Sequence, residues 1–587
     1  MLIALLIVSG CSNQTTDQPP TQSQSQASST NAQFEQFSSQ FMADFWAQKP
    51  GWALSFGVHK YDHLLVIPDE HSRISRLQFI HRQQQRLAAL PLESLNNQQK
   101  TDYYIIDNLL QKERWSIVDA KNYQWDPAFY NVARGFAEII NGSYDTLDNR
   151  LNSFLQRAEF IPQYYQAAKN NITTPTLEHT ELAILQNQGT LSIFSDNILQ
   201  QMQDSGLSGA QKTLFKQRFS AAKTAIKDYI DFLAQLTEQL KSQGNARPFR
   251  LQEDLYEQKF ALYIQSQYSA KEVFHKAQAD LQAVSEKMTV LTNQLWPKYF
   301  PSQHQPQNPK QATKQLIKHL SANHVKREDF VDEIRQQIPA LVDFVNQKDL
   351  LTLNPNKPLV VRETPLYMRG IAGASVSAPG PFDKHANTYY NVTPLDNMTA
   401  AGAESYLNEY NHWMLQILNI HEAIPGHYSQ LVYANESPSL IKSIFGNGAM
   451  VEGWAVYTER MMLEQGYGDF EPELWLMYYK WNLRVISNTI LDYGVHVNGM
   501  TKAEALDLLM NQAFQEQAEA QGKWRRVTLS QVQLTSYYAG YREIYDFREE
   551  MKAKAGADFD LKAFHETFLS FGSAPVKYIK ALMRSDK

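Results

Sequence analysis

Two histidines six residues apart cannot share one face of a regular helix, yet His421-Glu-Ala-Ile-Pro-Gly-His427 sets such a pair around a carboxylate. At ~100° per residue, a spacing of four leaves two side chains ~40° apart and a spacing of six leaves them ~120° apart. The parent pattern is H-E-x-x-H, in which one helix offers two imidazoles to zinc and places Glu as general base. Here the second His comes two residues late, directly after Pro425-Gly426. Proline removes a helical hydrogen bond and clashes with the preceding turn, and glycine accepts backbone angles that other residues refuse. The spacing therefore predicts a bulge or break that returns His427 to the face of His421. Tyr406, Tyr410, Met414, Ile417 and Ile424 fall on roughly one face of an amphipathic run, which puts the motif at the end of a helix. An ordinary helix end with an incidental His on each side fits the same spacing.

Glu452 follows His427 by 25 residues, in Val451-Glu-Gly-Trp-Ala-Val-Tyr-Thr-Glu459, a second helix that opens just past Gly446 and Gly448. One large class of zinc peptidases completes its site with a Glu from a later helix. Glu452 is placed to do so, giving a His2Glu set for one Zn2+ ion with a position left open for water. Glu422 is then the base that takes the water's proton and delivers it to the leaving amine. A Glu in a first helical turn also complements the helix dipole without any metal. Glu459, seven residues on and on the same face, either supports the site from behind or is solvated.

With these stretches the chain resembles the bacterial domain of unknown function 885 family, grouped with the gluzincin-type metallopeptidases. Three further segments carry the resemblance. Leu483-Arg-Val-Ile-Ser-Asn-Thr-Ile-Leu-Asp-Tyr-Gly-Val-His496 is similar to the family's R…D-x-G-x-H segment. Arg526 followed by Gln533-Leu-Thr-Ser-Tyr537-Tyr-Ala-Gly540 is similar to its R…P-G-Q-A-L-S-Y-x-x-G segment. Asn387-Thr-Tyr-Tyr-Asn391 resembles the strand before its metal helix. The chain departs from the pattern at Gln531-Val532, where the family usually has Pro-Gly. The resemblance covers roughly the last 240 residues and implies a peptidase with His496 and Tyr537 as donors to the reaction's oxyanion. Asp492, one turn before His496, would orient that imidazole, although an i,i+4 surface pair has the same spacing. Tyr537, among Tyr538 and Tyr541, is equally compatible with a core position. Tyr390 and Asn391 would line a strand edge that holds a peptide by its backbone, or belong to a small sheet that only packs. Arg526 would grip a terminal carboxylate bidentately, making the enzyme a carboxypeptidase or dipeptidase.

The N-terminus points to the compartment. Met1-Leu-Ile-Ala-Leu-Leu-Ile-Val-Ser-Gly-Cys11 is a short apolar run ending in small residues before the chain's single cysteine. It resembles a lipobox, with cleavage before Cys11 and acylation of its sulfur, and it is too short to span a bilayer. Residues 1–10 are the signal peptide on this reading, and 11–33, rich in Gln, Ser and Thr, form a flexible tether. Ser12 after the cysteine points to the periplasmic face of the outer membrane. A net charge of −6 leaves no basic footprint for nucleic acid. The partners expected are a peptide substrate and the membrane.

At 587 residues the chain exceeds one compact core, and 43% hydrophobic content supports more than one. Apolar residues recur at helical spacing through residues 34–347, read as an N-terminal helical lobe. Residues 348–587 form the metal-bearing lobe, with strands at Leu359–Glu363 and Thr388–Val392 and a loop at 370–381. The fold expected is mainly α: a large helical body with a small minor β-sheet and a catalytic cleft, gluzincin-like. The rival function is a non-catalytic, lipid-anchored binding or scaffold protein whose metal site is structural or degenerate.

Overall fold

The computed structural model describes residues 22–357, 359–364, 373–378, 381–382 and 387–585. Cys11 and the signal peptide lie outside the described residues. The expected tether does not run to residue 33: a helix spans Gln22–Gln48, so its second half is helical. The chain is mainly helical with one small sheet.

Its axis is the helix Pro472–His496, opened by Pro472 and buried along nearly its whole length. A helix hydrophobic all round must be covered on every side. The helices Ala270–Tyr299, His412–Glu422 and Thr535–Ala555 supply that cover. The first of these comes from the expected N-terminal lobe, so the boundary at 347/348 is not where the core divides. One core runs from Phe34 through Leu110 and resumes from Leu251 to Met583. A second is built by Tyr130, Phe136, Phe154, Phe194, Phe219 and Tyr229. The physical division is an inserted helical unit between these stretches, not two halves in chain order.

The sheet has strands β1 (Leu359–Glu363), β2 (Ala374–Ser377) and β3 (Thr388–Val392) in the order β1-β3-β2. β1 runs parallel to β3, with Val361 opposite Tyr390, and β2 runs antiparallel, with Val376 opposite Tyr390. β2 falls in the stretch read as a loop; its Ala-Ser-Val-Ser sequence carries little strand signal alone. The amphipathic run that leads into the two histidines is broken. His412–Glu422 begins afresh after Ala400–Glu409, because Asn411 caps it by accepting from the Trp413 and Met414 N–H groups. Leu147–Ala158 and Ile161–Asn171 are likewise separate.

The helix Gly448–Glu464 packs against Thr535–Ala555 at glycine-to-glycine distance. A Cβ on Gly540 would lie 1.7 Å from the Ala449 carbonyl oxygen, and one on Gly453 would lie 2.4 Å from the Gly540 carbonyl carbon. These two helices carry Glu452 and Tyr537, so their spacing sets one wall of the site. Gly540→Ala should therefore destabilise the protein by ~1–3 kcal/mol through forced separation. Gly522→Ala, in a helix with nothing within 4 Å of the added Cβ, should instead stabilise it by ~0.5–1 kcal/mol. Urea unfolding of the two variants checks the opposite signs.

Candidate metal centre

The break foreseen between the histidines is present. The first helix ends at Glu422 and the next begins at His427. Between them the Ile424–Pro425 peptide is cis, and the Gly426 N–H donates to the Ile420 carbonyl at 3.0 Å. Gly426 is required for closeness, not for a left-handed angle: its φ is −72°, but a Cβ there would fall 1.9 Å from the His421 carbonyl oxygen. Trp454 clamps the turn by donating Nε1–H to the Pro425 carbonyl at 2.9 Å.

The turn brings the imidazoles to a ring separation of 4.7 Å at 86°. Glu452, on the helix capped by Asn447, sends Oε2 to 3.4 Å from His427 Nε2 and 3.8 Å from His421 Nε2. One ligand atom from each of the three residues lies within 4.8 Å of the others. Tetrahedral zinc with ligands at 2.0–2.1 Å separates its ligand atoms by ~3.3 Å. The spacing and the two-nitrogen, one-oxygen donor set thus fit a zinc-sized cation.

Glu459 decides which nitrogen of His421 is available. It is fully buried, correcting the solvated reading, and its Oε1 accepts from His421 Nδ1 at 2.6 Å and Trp481 Nε1 at 2.9 Å. The first bond leaves the Nε2 lone pair of His421 facing His427 and Glu452, the arrangement by which a carboxylate orients a metal-binding imidazole. Glu459 Oε2 has no hydrogen-bond partner among the described residues, and burial pushes the carboxyl well above its ordinary pKa. A cation at the ligands is what would stabilise this group as a carboxylate.

Burial, then the neighbouring His427, holds the pKa of His421 down to about 4, so it is neutral and ready to ligate at pH 7. Burial opposes charge on His427, but the hydrogen bond and charge of Glu452 outweigh it and raise its pKa. The same pairing overcomes burial to lower that of Glu452. Glu422 is pushed up by burial although both imidazoles pull the other way. The centre is reachable from solvent on one side: the Glu452 side chain keeps 23% of its exposure and that of His427 15%, against 0% for Glu459.

Among the remaining residues singled out from the sequence, Tyr537 and Arg526 come to this site. The Glu452 charge raises the Tyr537 pKa after burial does, and Arg526 Nη2 donates to the Tyr537 hydroxyl at 3.3 Å and to Gln533 Oε1 at 2.7 Å. Tyr390 and Asn391 do not line an edge, because β3 is the central strand. The buried Tyr390 hydroxyl donates to Asn419 Oδ1 at 3.0 Å, tying the sheet to the His421 helix. Asn391 is buried too, and donates to Ser377 Oγ at 2.8 Å.

His496 is displaced from the oxyanion role. It lies fifteen residues beyond Trp481 on one helix, or ~22 Å along it. Its Nε2 sits 2.9 Å from the Val527 carbonyl and 3.0 Å from that of Ser530. Asp492 does not orient it: their closest approach is 4.0 Å, and the carboxylate accepts instead from the Val532 and Leu534 N–H groups at 3.0 and 2.9 Å. The pair is buried, so it is no surface pair either. Both residues hold the segment between Arg526 and Tyr537. Val532, at the position where the resembling family has Gly, takes φ +68°, a left-handed angle rare for a β-branched residue.

The sequence pattern of the bacterial proteins of unknown function called DUF885 matches residues 50–583. The chain belongs to this family. The chain is similar to a solved protein from Shewanella oneidensis, described as a candidate lipoprotein of unknown function. It is 62% identical to this chain, with a TM-score of 0.89 over 94% of this chain and 99% of the other. A candidate lipoprotein from Colwellia psychrerythraea shares the fold at 17% identity, with a TM-score of 0.73 over 96% and 99% of the two chains. No curated protein matches the chain.

His421→Ala, His427→Ala and Glu452→Ala should each abolish stoichiometric zinc binding, since three protein ligands define the set. Glu459→Gln should keep the fold and weaken zinc affinity ~10–100-fold. Zinc titration against a competing chelator reads both effects.

Proposed function

We propose that this chain is a zinc-dependent peptidase held at the bacterial cell envelope by a lipid on Cys11. The observation that carries the reading is the convergence of His421, His427 and Glu452 within 4.8 Å, with Glu459 fixing the tautomer of His421. These three would hold the ion in the gluzincin manner, and a bound ion supplies Lewis acidity toward a water and a scissile carbonyl. Glu422 does the proton work. It is adjacent to a ligand without belonging to the ligand set, and burial raises its pKa toward the range where one carboxyl both accepts a proton and returns it to the leaving amine. The Tyr537 hydroxyl accepts from Arg526, so its own proton is free to donate to the carbonyl oxygen as negative charge develops there. A purely structural metal site, as in a scaffold protein, has no use for a carboxyl placed as Glu422 is.

The short apolar run ending at Cys11 supports the anchor, as does the description of the Shewanella oneidensis relative as a candidate lipoprotein. No helix among the described residues is long and apolar enough to cross a membrane. Ser12 supports the periplasmic face of the outer membrane.

Glu422→Gln should retain near-stoichiometric zinc and an unchanged melting temperature while peptide hydrolysis falls at least ~10²-fold, because an amide cannot take the proton. Zinc analysis, a melting curve and a hydrolysis assay on a mixed peptide library test this; wild-type turnover in the zinc-replete variant would sink the mechanism. Cys11→Ser should release the protein into the soluble fraction, and a variant still sedimenting with membranes after a salt wash would rule out the lipid anchor.

A further inference from the structure

Beside the metal centre lies a cluster of charged side chains that ligation does not use. Lys480 and Arg484 stand one turn apart on the Pro472–His496 helix, and Lys523 and Arg526 lie on the helix Gln517–Leu529. Lys480 Nζ donates to Glu409 Oε2 at 2.6 Å. Arg484 reaches Glu519 Oε1 at 2.6 Å through Nη2, while its Nη1 stays 3.8 Å from Glu409 Oε1. That Nη1 is buried and has no hydrogen-bond partner among the described residues. The Lys523 side chain is 6% exposed, and its ion-pair partner is Glu519 Oε1 at 3.9 Å, the oxygen that Arg484 already engages. Arg526 bonds only neutral groups, Gln533 and Tyr537. Among the described residues, these four cations thus have two carboxylates, Glu409 and Glu519, within ion-pair distance.

Such an imbalance is expensive inside a protein unless an anion completes it. Burial, then the charge of Arg484, holds Lys523 well below the ordinary lysine pKa, as expected of an ammonium without a full partner. The cluster faces the metal centre: Lys523 and Arg526 both act on Glu452, and Arg484 acts on His421.

We propose that Lys523 and Arg484, with Arg526 at the rim, receive a carboxylate of the peptide substrate beside the metal centre. The unpaired Arg484 Nη1 and the Lys523 ammonium offer two charge-assisted donors, one for each carboxylate oxygen. The proposal rests on the peptidase reading for the word substrate, but binding can be measured without turnover. A peptide has two sources of such a group, its C-terminus and an acidic side chain.

Three probes separate these by calorimetry on the purified chain: Ala-Ala-Ala with a free carboxylate, its C-terminal amide, and Ala-Glu-Ala amide. At least one carboxylate probe should bind about 10- to 100-fold more tightly than tri-alanine amide, the worth of one or two hydrogen bonds to a charged group. Which one does so names the source. Lys523→Met should remove most of that preference, and Lys523→Arg should keep it. The preference should persist after EDTA treatment, since it belongs to the cluster and not to the ion. Equal binding of all three probes by the wild-type chain overturns the proposal, as does a preference that EDTA removes and Lys523→Met leaves intact. Neither outcome depends on hydrolysis, so a failed peptidase assay with an intact carboxylate preference would count against the peptidase reading alone.

Discussion

Van der Waals contact between the two sides of one turn governs the centre. The chain leaves the His421 helix and re-enters a helix at His427 within four intervening residues, and the Gly426 backbone passes so near the His421 carbonyl that no Cβ fits between them. Three consecutive residues of the Gly448–Glu464 helix complete what that turn begins. Glu452 supplies the third donor, Gly453 lets the Tyr537 helix approach to backbone contact, and Trp454 holds the Pro425 carbonyl. Stacking of Trp454 on Phe568, with ring centroids 5.9 Å apart, fixes the clamp from behind. Ligand, spacing and clamp therefore move together, and a shift of this helix would disturb all three.

The electrostatics follow the same economy of parts. Glu422, Glu452 and Glu459 bring three carboxyls to one partly desolvated volume, with two imidazoles between them. Like charges so placed cannot all remain ionised without a compensating cation. Burial is the first cause of the raised pKa values of Glu422 and Glu459, and the neighbouring carboxyls add to it, while Glu452 escapes through His427. A few ångströms farther along the Trp481 helix the sign reverses, where Lys480, Arg484, Lys523 and Arg526 have two carboxylates, Glu409 and Glu519, within ion-pair distance. An acidic pocket next to a cationic one is a dipolar surface, complementary to a ligand that carries both signs of charge.

How much of this was legible depends on whether the controlling quantity is local. Helical phase is local, so the six-residue spacing and Pro425-Gly426 sufficed to foresee the break, and helical periodicity sufficed for the predominantly helical fold. Burial is not local. Glu459 sits on the expected face, but only the packing of Trp481 shows that no water reaches it. Strand order is not local either: Thr388–Val392 reads as a strand, yet nothing in it reveals that β1 and β2 flank it and leave Tyr390 and Asn391 without an edge. The lobes misled for a related reason, because chain order proposed a boundary at 347/348 while the Ala270–Tyr299 helix had already crossed to the central one. Lys523 carried no signal of its own, and Arg484 entered only as the Arg of the R…D-x-G-x-H segment, since a lone cation is ordinary until its partners are counted.

Asp492 and His496 show how a residue matched by motif can serve a site from a distance. The i,i+4 spacing suggested that one oriented the other, but the helix turns both toward the backbone that follows Arg526. Each meets main-chain groups there, Asp492 as acceptor and His496 as donor. Burial leaves His496 neutral, with its pKa held down to about 4, so only one ring nitrogen carries a proton, and that nitrogen is Nε2 if it donates to the two carbonyls. The segment they grip contains Val532 at φ +68°, an angle an isolated valine would abandon at a gain of ~1–2 kcal/mol. The bond from Val532 N–H to Asp492 is one of the contacts opposing that escape. Arg526 enters the segment and Tyr537 leaves it, so the distance between guanidinium and phenol beside Glu452 is set by a backbone that these two buried side chains hold in place. Their contribution to the site is positional, exerted through main-chain hydrogen bonds.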